Sequence, residues 1–104
     1  MAPAPPFNEA RWRAQLAHEG LSVERWSNGP GAIYQTHEHP YGKVLVVSSG
    51  SITFTVLDGV ARLVTLQPGD RLELPPRTPH SAVVGPEGVV CLEAHRPLGE
   101  APAS

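Results

Sequence analysis

Three of the five histidines in this sequence are spaced in a way that suits a metal site. His37 and His39 are two residues apart, so on a strand their side chains would point to the same face. His80 follows the proline-rich stretch 75–79, which restricts how the chain enters a later strand. Imidazole binds Zn, Ni, Cu and Fe ions. A lone pair of this kind is commonly just two surface residues, but a third imidazole from a distant strand would complete a half-shell of ligands.

The elements that must position these histidines are short strands. After Gly20, runs rich in Val, Ile, Leu and Thr alternate with turn residues along the rest of the chain, which predicts a β-sandwich or barrel. Gly50-Ser51 and Asp58-Gly59 lie between consecutive predicted strands and are typical of hairpin turns. The predicted strands cover residues 21–26, 32–37, 43–48, 51–57, 60–66, 71–74, 80–84 and 88–95.

A short helix is predicted before the first strand. Asn8 is a favourable N-cap, and Gly20 stands where such a helix would stop. The sequence therefore divides into three parts, which are an N-terminal arm with the short helix (1–20), a barrel (21–97) and a flexible tail (98–104).

Two stretches around the histidines share a pattern of glycine, proline and histidine. The first contains Gly31, His37, His39 and Gly50, and the second contains Gly69, Asp70, Pro75 and His80. Their spacings, and the short segment between them, resemble the two motifs of the cupin superfamily. The resemblance covers roughly residues 21–95.

The resemblance implies an all-β fold, the double-stranded β-helix or jelly-roll barrel of cupins, with a metal ion inside one end. Carried over residue by residue, it makes His37, His39 and His80 the ligands of one divalent transition metal ion. Zn, Fe, Ni and Mn all remain open, because an imidazole shell accepts several metals. Many members of the family are dimers, so a homodimer is expected.

The sequence departs from the family pattern at three places. The glutamate that usually supplies a fourth ligand is absent, since Lys43 and Val44 occupy the positions where it would stand. Arg77 replaces the usual glycine two residues after the second motif's proline, and Val84 replaces its final asparagine. Only the first departure alters the chemistry. Three neutral imidazoles leave a divalent ion with a charge of about +2, which favours an anionic ligand in the open positions.

Lys43 has three interpretations. Its stem can follow the barrel wall and leave the ammonium in water. Its charge can instead hold an anionic ligand beside the metal, or Lys43 can replace the metal in a metal-free binding cupin. Burying an ammonium costs free energy unless the charge is paired.

Three other residues are candidates for contact with a ligand. Tyr41 and Arg77 are expected near the barrel mouth, where Arg77 could receive a carboxylate. Glu93 would reach the cavity as a base if the face it shares with Cys91 points inward. The sequence slightly favours the opposite face, that of Val90, as the inner one. Lys43, Glu93 and Tyr41 are the catalytic candidates, and Trp26 is interpreted as a packing residue.

Composition excludes several classes of function. A formal charge of −2 without a basic patch argues against nucleic-acid binding. No apolar run approaches the roughly 20 residues that cross a bilayer, and the first residues do not resemble a signal peptide. One cysteine allows no internal disulfide, which fits a cytoplasmic location.

Three functions follow from these observations. The first is a metal-dependent enzyme acting on a small anionic or oxygenated molecule by dioxygenase- or isomerase-type chemistry. The second is a non-catalytic module that binds or senses a small molecule. The third is an accessory protein that delivers or buffers metal. The fold alone selects none of them.

Overall fold

The computed structural model describes residues 7–96 of the chain. This part contains one helix and six antiparallel strands. The elements are α1 (Glu9–His18), β1 (Val23–Asn28), β2 (Ile33–His37), β3 (Gly42–Leu57), β4 (Ala61–Leu66), β5 (Arg71–Leu74) and β6 (His80–Arg96). The strands form one sheet in the order β1-β6-β3-β4, with β2 paired to β6 and β5 paired to β3. The predicted all-β fold with a short N-terminal helix is confirmed.

The helix begins and ends where its sequence predicts. The side chain of Asn8 accepts a hydrogen bond from the Arg11 amide at 3.0 Å. At the other end Gly20 has a φ of 81°, its amide donates to Ala17 O, and the Leu21 amide donates to Leu16 O. This is a Schellman cap, in which glycine adopts the left-handed conformation at little cost. The cap turns the chain directly toward β1.

Two of the strands are much longer than predicted. The expected strands 43–48 and 51–57 are one strand, β3, and the expected strands 80–84 and 88–95 are one strand, β6. The predicted hairpin turn at Gly50-Ser51 is therefore wrong. Gly50 has a φ of 73° and lies beside register shifts in the ladder with β6, so it bends β3 without reversing it. The hairpin at Asp58-Gly59 is confirmed, because Leu57 pairs with Ala61.

Apolar residues pack on both sides of the central strands. One cluster lies inside the barrel and includes Leu45, Val47, Phe54 and Cys91. A second cluster lies between the sheet and the helix, and contains Leu16, Leu21, Val44, Val46, Leu92 and Ala94. Successive side chains of a strand point to opposite faces, so the helix covers the face of β3 and β6 that the barrel interior does not use.

The predicted arm at residues 1–6 and the predicted tail at residues 98–104 lie outside the described residues, and the domain boundaries stay a prediction. Within residues 7–96, no helix has the length and the apolar character that crossing a membrane requires.

A partly buried ion pair links the end of the helix to β5. Both carboxylate oxygens of Glu19 accept hydrogen bonds from Arg71, each at 2.7 Å, and Gln15 donates a third at 3.0 Å. The hydrogen bond from Arg71 and then that from Gln15 lower the pKa of Glu19 from 4.5 to about 2. The carboxylate is therefore more stable in the folded chain than in the unfolded chain.

We expect the free energy of unfolding to fall with acidification because of Glu19. The folded pKa lies below the unfolded value, so the contribution is complete above pH 4.5 and is lost as the pH falls toward about 2. Glu19→Gln should cost about 1 kcal/mol at neutral pH and should reduce this acid sensitivity. Urea denaturation at several pH values is the measurement, and Glu24→Gln, on the exposed part of β1, is the control. Identical pH profiles for Glu19→Gln and the unmodified chain would contradict the prediction.

Candidate metal centre and its cavity

The three predicted histidine ligands come together at one end of the barrel. His37 ends β2 and His80 begins β6, and the two residues are partners across that pair of strands. His39 lies beyond the end of β2, so the shared strand face expected for His37 and His39 does not apply. A suitable nitrogen of each of the three rings nevertheless lies within 4.8 Å of one on the others. That separation allows one ion to contact all three.

Hydrogen bonds to the backbone fix which nitrogen two of the rings present. His37 Nδ1 lies 2.6 Å from the carbonyl oxygen of Gln35, and His80 Nδ1 lies 2.9 Å from that of Thr78. A carbonyl only accepts, so both Nδ1 atoms carry the proton and donate it. In the neutral ring, Nε2 then keeps the lone pair, which is the usual arrangement of metal-binding histidines.

His39 has a buried ring nitrogen without a hydrogen-bond partner among the described residues, which a metal site would explain. This nitrogen is Nδ1. Leaving a buried polar nitrogen unpaired costs free energy, and coordination of an ion by the ring would offset that cost. Two oriented imidazoles and one unsatisfied imidazole fit a divalent transition metal ion.

The surroundings favour neutral imidazoles. Burial is the main cause that lowers the pKa of His39, with the charge of Lys43 next. Burial also lowers the pKa of His80, against the opposing effect of its hydrogen bond to Thr78. Metal coordination requires the unprotonated ring, so the same environment that disfavours a proton leaves the lone pairs available.

A cavity of about 300 Å³ opens inward from the histidines. It is lined by Trp26, Ser27, Tyr34, His37, Lys43, Leu45, Ile52, Phe54, Leu74, His80, Ala82 and Glu93. The candidates Lys43 and Glu93 are thus both wall residues of this cavity. Three aromatic residues of the wall, Trp26, Tyr34 and Phe54, were not predicted to contact a ligand. The sequence did contain a signal that Phe54 points inward, because Phe54 lies between polar Thr53 and Thr55 in an alternating strand pattern.

The ammonium of Lys43 is paired inside the cavity. Lys43 Nζ lies 3.3 Å from Glu93 Oε1, and the two side chains are 15% and 14% exposed. The interpretation in which this ammonium reaches water is therefore wrong. The register explains the pairing, since Lys43 and Leu45 are the inward residues of β3 beside the C-terminal half of β6, where Leu45 is the partner of Glu93.

Glu93 is held by three donors. Trp26 Nε1 donates to Oε1 at 3.2 Å, Lys43 donates to the same oxygen, and His95 Nε2 lies 2.8 Å from Oε2. Burial by itself raises the pKa of Glu93, but the hydrogen bond from His95 and the charge of Lys43 outweigh it and lower the pKa. Glu93 is thus a stabilised carboxylate.

The inner face of the last strand is the one that the sequence did not favour. Cys91 belongs to the interior cluster, and Glu93 on the same face lines the cavity. Leu92 and Ala94 instead pack beneath the helix with Leu16. Both faces carry apolar residues, so alternation alone does not distinguish them, and the position of the helix decides.

Tyr41 and Arg77 lie outside the residues that line the cavity. The ring of Tyr41 stacks on His39 and on His95, with centroid distances of 5.0 and 4.3 Å. The side chain of Arg77 is exposed, while its amide donates to the His39 carbonyl at 2.6 Å. Their roles in ligand binding stay predictions. The structure shows instead that each contacts a metal-ligand candidate.

Comparison with known families identifies the class of the protein. The sequence model described as "Cupin domain" matches residues 25–94, which is most of the chain. The chain therefore belongs to the cupin family, and the resemblance seen in its two motifs is confirmed.

The solved structures similar to this chain include oxalate decarboxylases. A variant of the Bacillus subtilis enzyme has a TM-score of 0.69 and 24% identity, over 78% of this chain and 22% of that chain. A second structure of the same enzyme, whose description names its Mn(II) centers, has a TM-score of 0.69 and 26% identity. The match covers 81% of this chain and 23% of that chain. The Lactobacillus farciminis enzyme, in a formate complex, has a TM-score of 0.69 and 20% identity. The match covers 78% of this chain and 25% of that chain.

This chain spans about a quarter of the length of those proteins or less. No curated protein matches the sequence. Together, the family, the neighbours and the three clustered histidines support a metal-binding cupin with a divalent ion whose identity they do not fix.

Arg77 should be destabilising where it stands. It is a non-glycine residue with a φ of 57°, a conformation that costs about 1–2 kcal/mol for a residue with a Cβ. Glycine relieves that strain but gains freedom in the unfolded chain, so Arg77→Gly should raise the free energy of unfolding by roughly 0.5–1 kcal/mol. Thermal and urea denaturation measure it. Arg77→Ala, which removes the guanidinium and keeps the strain, is the control, and an equal gain in that variant would show that backbone strain is not the cause.

The purified protein should bind about one divalent transition metal ion per chain. Changing His37, His39 or His80 to Ala should each weaken the affinity by more than about 100-fold, since a ligand matters more than the outer hydrogen bonds whose loss costs 10–100-fold. Metal titration with zinc and manganese, followed by elemental analysis, is the measurement. His18→Ala, on the exposed face of the helix, is the control. Unchanged affinity in His80→Ala would contradict the site.

Proposed function

We propose that the protein is a metal-dependent cupin that binds a small anionic molecule at the three-histidine site and acts on it. One observation carries the proposal, namely that the ammonium of Lys43, whose side chain is largely buried, shares a cavity with His37 and His80. In the resemblance noted above, a carboxylate ligand usually stands at this position. Here the chain supplies a cation in its place.

The charges of the described wall favour an anion. Three neutral imidazoles leave a divalent ion at about +2, and Glu93 offsets Lys43, so the cavity as a whole keeps that excess. An ammonium has three N–H groups, and Lys43 uses one of them on Glu93. The other two have no partner within residues 7–96, so they can donate to an oxygen of the bound anion without breaking the ion pair.

The neighbours in fold support a carboxylate as the anionic group. The descriptions of those structures name oxalate decarboxylase, its Mn(II) centres and a complex with formate. A bound divalent ion would supply Lewis-acid or redox chemistry at its open positions. In this chain, Lys43 would orient the anion, and the apolar walls would exclude water, which strengthens the attraction between charges. Oxygen-dependent or isomerase-type chemistry is the reaction class that we propose.

A second function, non-catalytic binding, is favoured by the state of Glu93. Both of its oxygens accept hydrogen bonds, so it is poorly placed to remove a proton from a ligand. Product formation from a panel of carboxylates, with manganese- or iron-loaded protein in air, separates the two functions. Tight binding without turnover would assign the protein to the binding class.

We also propose that the chain is a cytoplasmic homodimer joined through sheet surface. Val44 and Val46 of β3 do not contribute to such a surface, because the helix of the same chain covers them. The support comes from the outer face of the other part of the sheet. There Ile33 is paired with Val83, and both side chains, with Leu63, are at least half exposed.

The anion proposal is tested by removing the charge of Lys43. Lys43→Met keeps most of the length of the side chain and removes the ammonium, so acetate affinity for the zinc-loaded protein should fall about 10–100-fold, the range for a hydrogen bond to a charged group. Isothermal titration calorimetry is the measurement. Arg77→Ala is the matched control, because Arg77 is the other predicted anion receptor and its side chain lies outside the cavity wall.

A double variant separates two causes of weakened binding. Lys43→Met leaves Glu93 without its counter-charge, and that carboxylate would itself repel acetate. In Lys43→Met/Glu93→Gln the repulsion is absent, so acetate binding should stay weak if Lys43 holds the anion. Recovery of full affinity in the double variant, or no change in Lys43→Met, would end the proposal.

A further inference from the structure

The cavity becomes apolar with distance from the histidines. Along β6, the next inward residue after His80 is Ala82, whose partner on β3 is Phe54. The next inward residue of β3 is Ile52, which is 1% exposed. Leu45 and Leu74 are buried wall residues from β3 and β5. A ligand held at the metal would extend into a pocket that offers it only apolar side chains at this depth.

Two of the aromatic wall residues, Trp26 and Tyr34, lie together beside the cavity. Trp26 and Tyr34 pack edge to face, with centroids 5.9 Å apart. The indole N–H of Trp26 donates to Glu93, and the hydroxyl of Tyr34 accepts a hydrogen bond from Asn28 at 2.7 Å. Because both polar atoms have partners, the rings are left to pack against an apolar or planar group.

The wall can receive one anionic group but not two far apart. Among the described residues that line the cavity, Lys43 is the only lysine, and none is an arginine. The other charged wall residue, Glu93, is a carboxylate with both oxygens engaged. Apart from the hydroxyl of Ser27, a second anionic group away from the metal would meet either this negative charge or apolar side chains, and no cation would compensate its desolvation.

We infer that the cavity takes a monoanion with an apolar body, such as an aromatic or short-chain aliphatic monocarboxylate. The anionic end of this ligand rests on the function proposed above, whereas its apolar part is inferred from the residues that line the cavity. A volume of about 300 Å³ equals roughly ten water molecules at about 30 Å³ each. The ligand therefore has on the order of ten non-hydrogen atoms. This lies at the small end of known ligand pockets.

The test is a series of carboxylates titrated into zinc-loaded protein by calorimetry. Acetate, butanoate, hexanoate and benzoate share the anionic end and differ in the apolar body. Affinity should rise about fourfold for each buried CH₂, and benzoate should bind far more tightly than acetate. Succinate and oxalate, which carry a second carboxylate, should bind more weakly than butanoate and benzoate.

The outcomes distinguish the two proposals. If acetate binds in a Lys43-dependent way but the longer acids bind no more tightly, the apolar body is wrong and the anion site stands. If no carboxylate binds, the proposed function itself fails. Tightest binding of oxalate would also overturn the inference, since it would show that the apolar depth of the cavity is unused.

Two variants locate the body of the ligand. Ala82→Leu fills the cavity just beyond His80, so it should lower the affinity for hexanoate and benzoate far more than the affinity for acetate. Ala61→Leu, at an exposed position of β4, is the matched control. Equal losses for acetate and hexanoate in Ala82→Leu would contradict the placement. If Ala82→Leu does not fold, Phe54→Leu enlarges the same region and should shift the preference toward longer acids, while an unchanged preference would overturn the inference.

Discussion

The long ladder between β3 and β6 is the constraint on which the rest of the structure depends. The two strands pair from Gly42 and Arg96 at one end to Val56 and His80 at the other, and each of the remaining strands pairs with one of them. Breaks in register beside Gly50 bend the ladder. Gly50 lies directly against the backbone of Gly88, where a Cβ would collide. The bend lets a single pair of strands serve both halves of the barrel, so His80 and Glu93, on one strand, face the same cavity.

The site places two opposite charges where neither would be stable alone. Burying an ammonium or a carboxylate costs several kcal/mol unless it is paired, and Lys43 and Glu93 each offset that cost for the other. Trp26 and His95 complete the hydrogen bonding of the carboxylate. The pair is nearly neutral as a unit, so it leaves the charge of a bound metal ion uncompensated. This is the physical basis for the proposal that the site selects an anion and that its apolar walls select an apolar group.

His39 depends on structure outside the strands. It lies after the end of β2, and its carbonyl accepts the amide of Arg77, a residue held at positive φ. Tyr41 stacks on its ring. Backbone strain is retained where the surroundings over-determine a conformation. Here the strained turn before β6 is hydrogen-bonded to the loop that carries His39, a candidate metal ligand that the sheet itself does not position.

The sequence by itself determined the features that depend on local chemistry. The cap at Asn8, the end of the helix at Gly20, the hairpin at Asp58-Gly59 and the three histidines were all predicted, because each rests on residue type and short spacing. The bend at Gly50, the inward face of Glu93 and the partner of Lys43 were decided by tertiary structure. A glycine between two strand patterns fits a turn and a bulge equally well. A strand that is apolar on both faces does not show which face is inner. Only the packing of the helix against Leu92 and Ala94 turned Glu93 inward, and so brought a carboxylate from the end of the chain to Lys43.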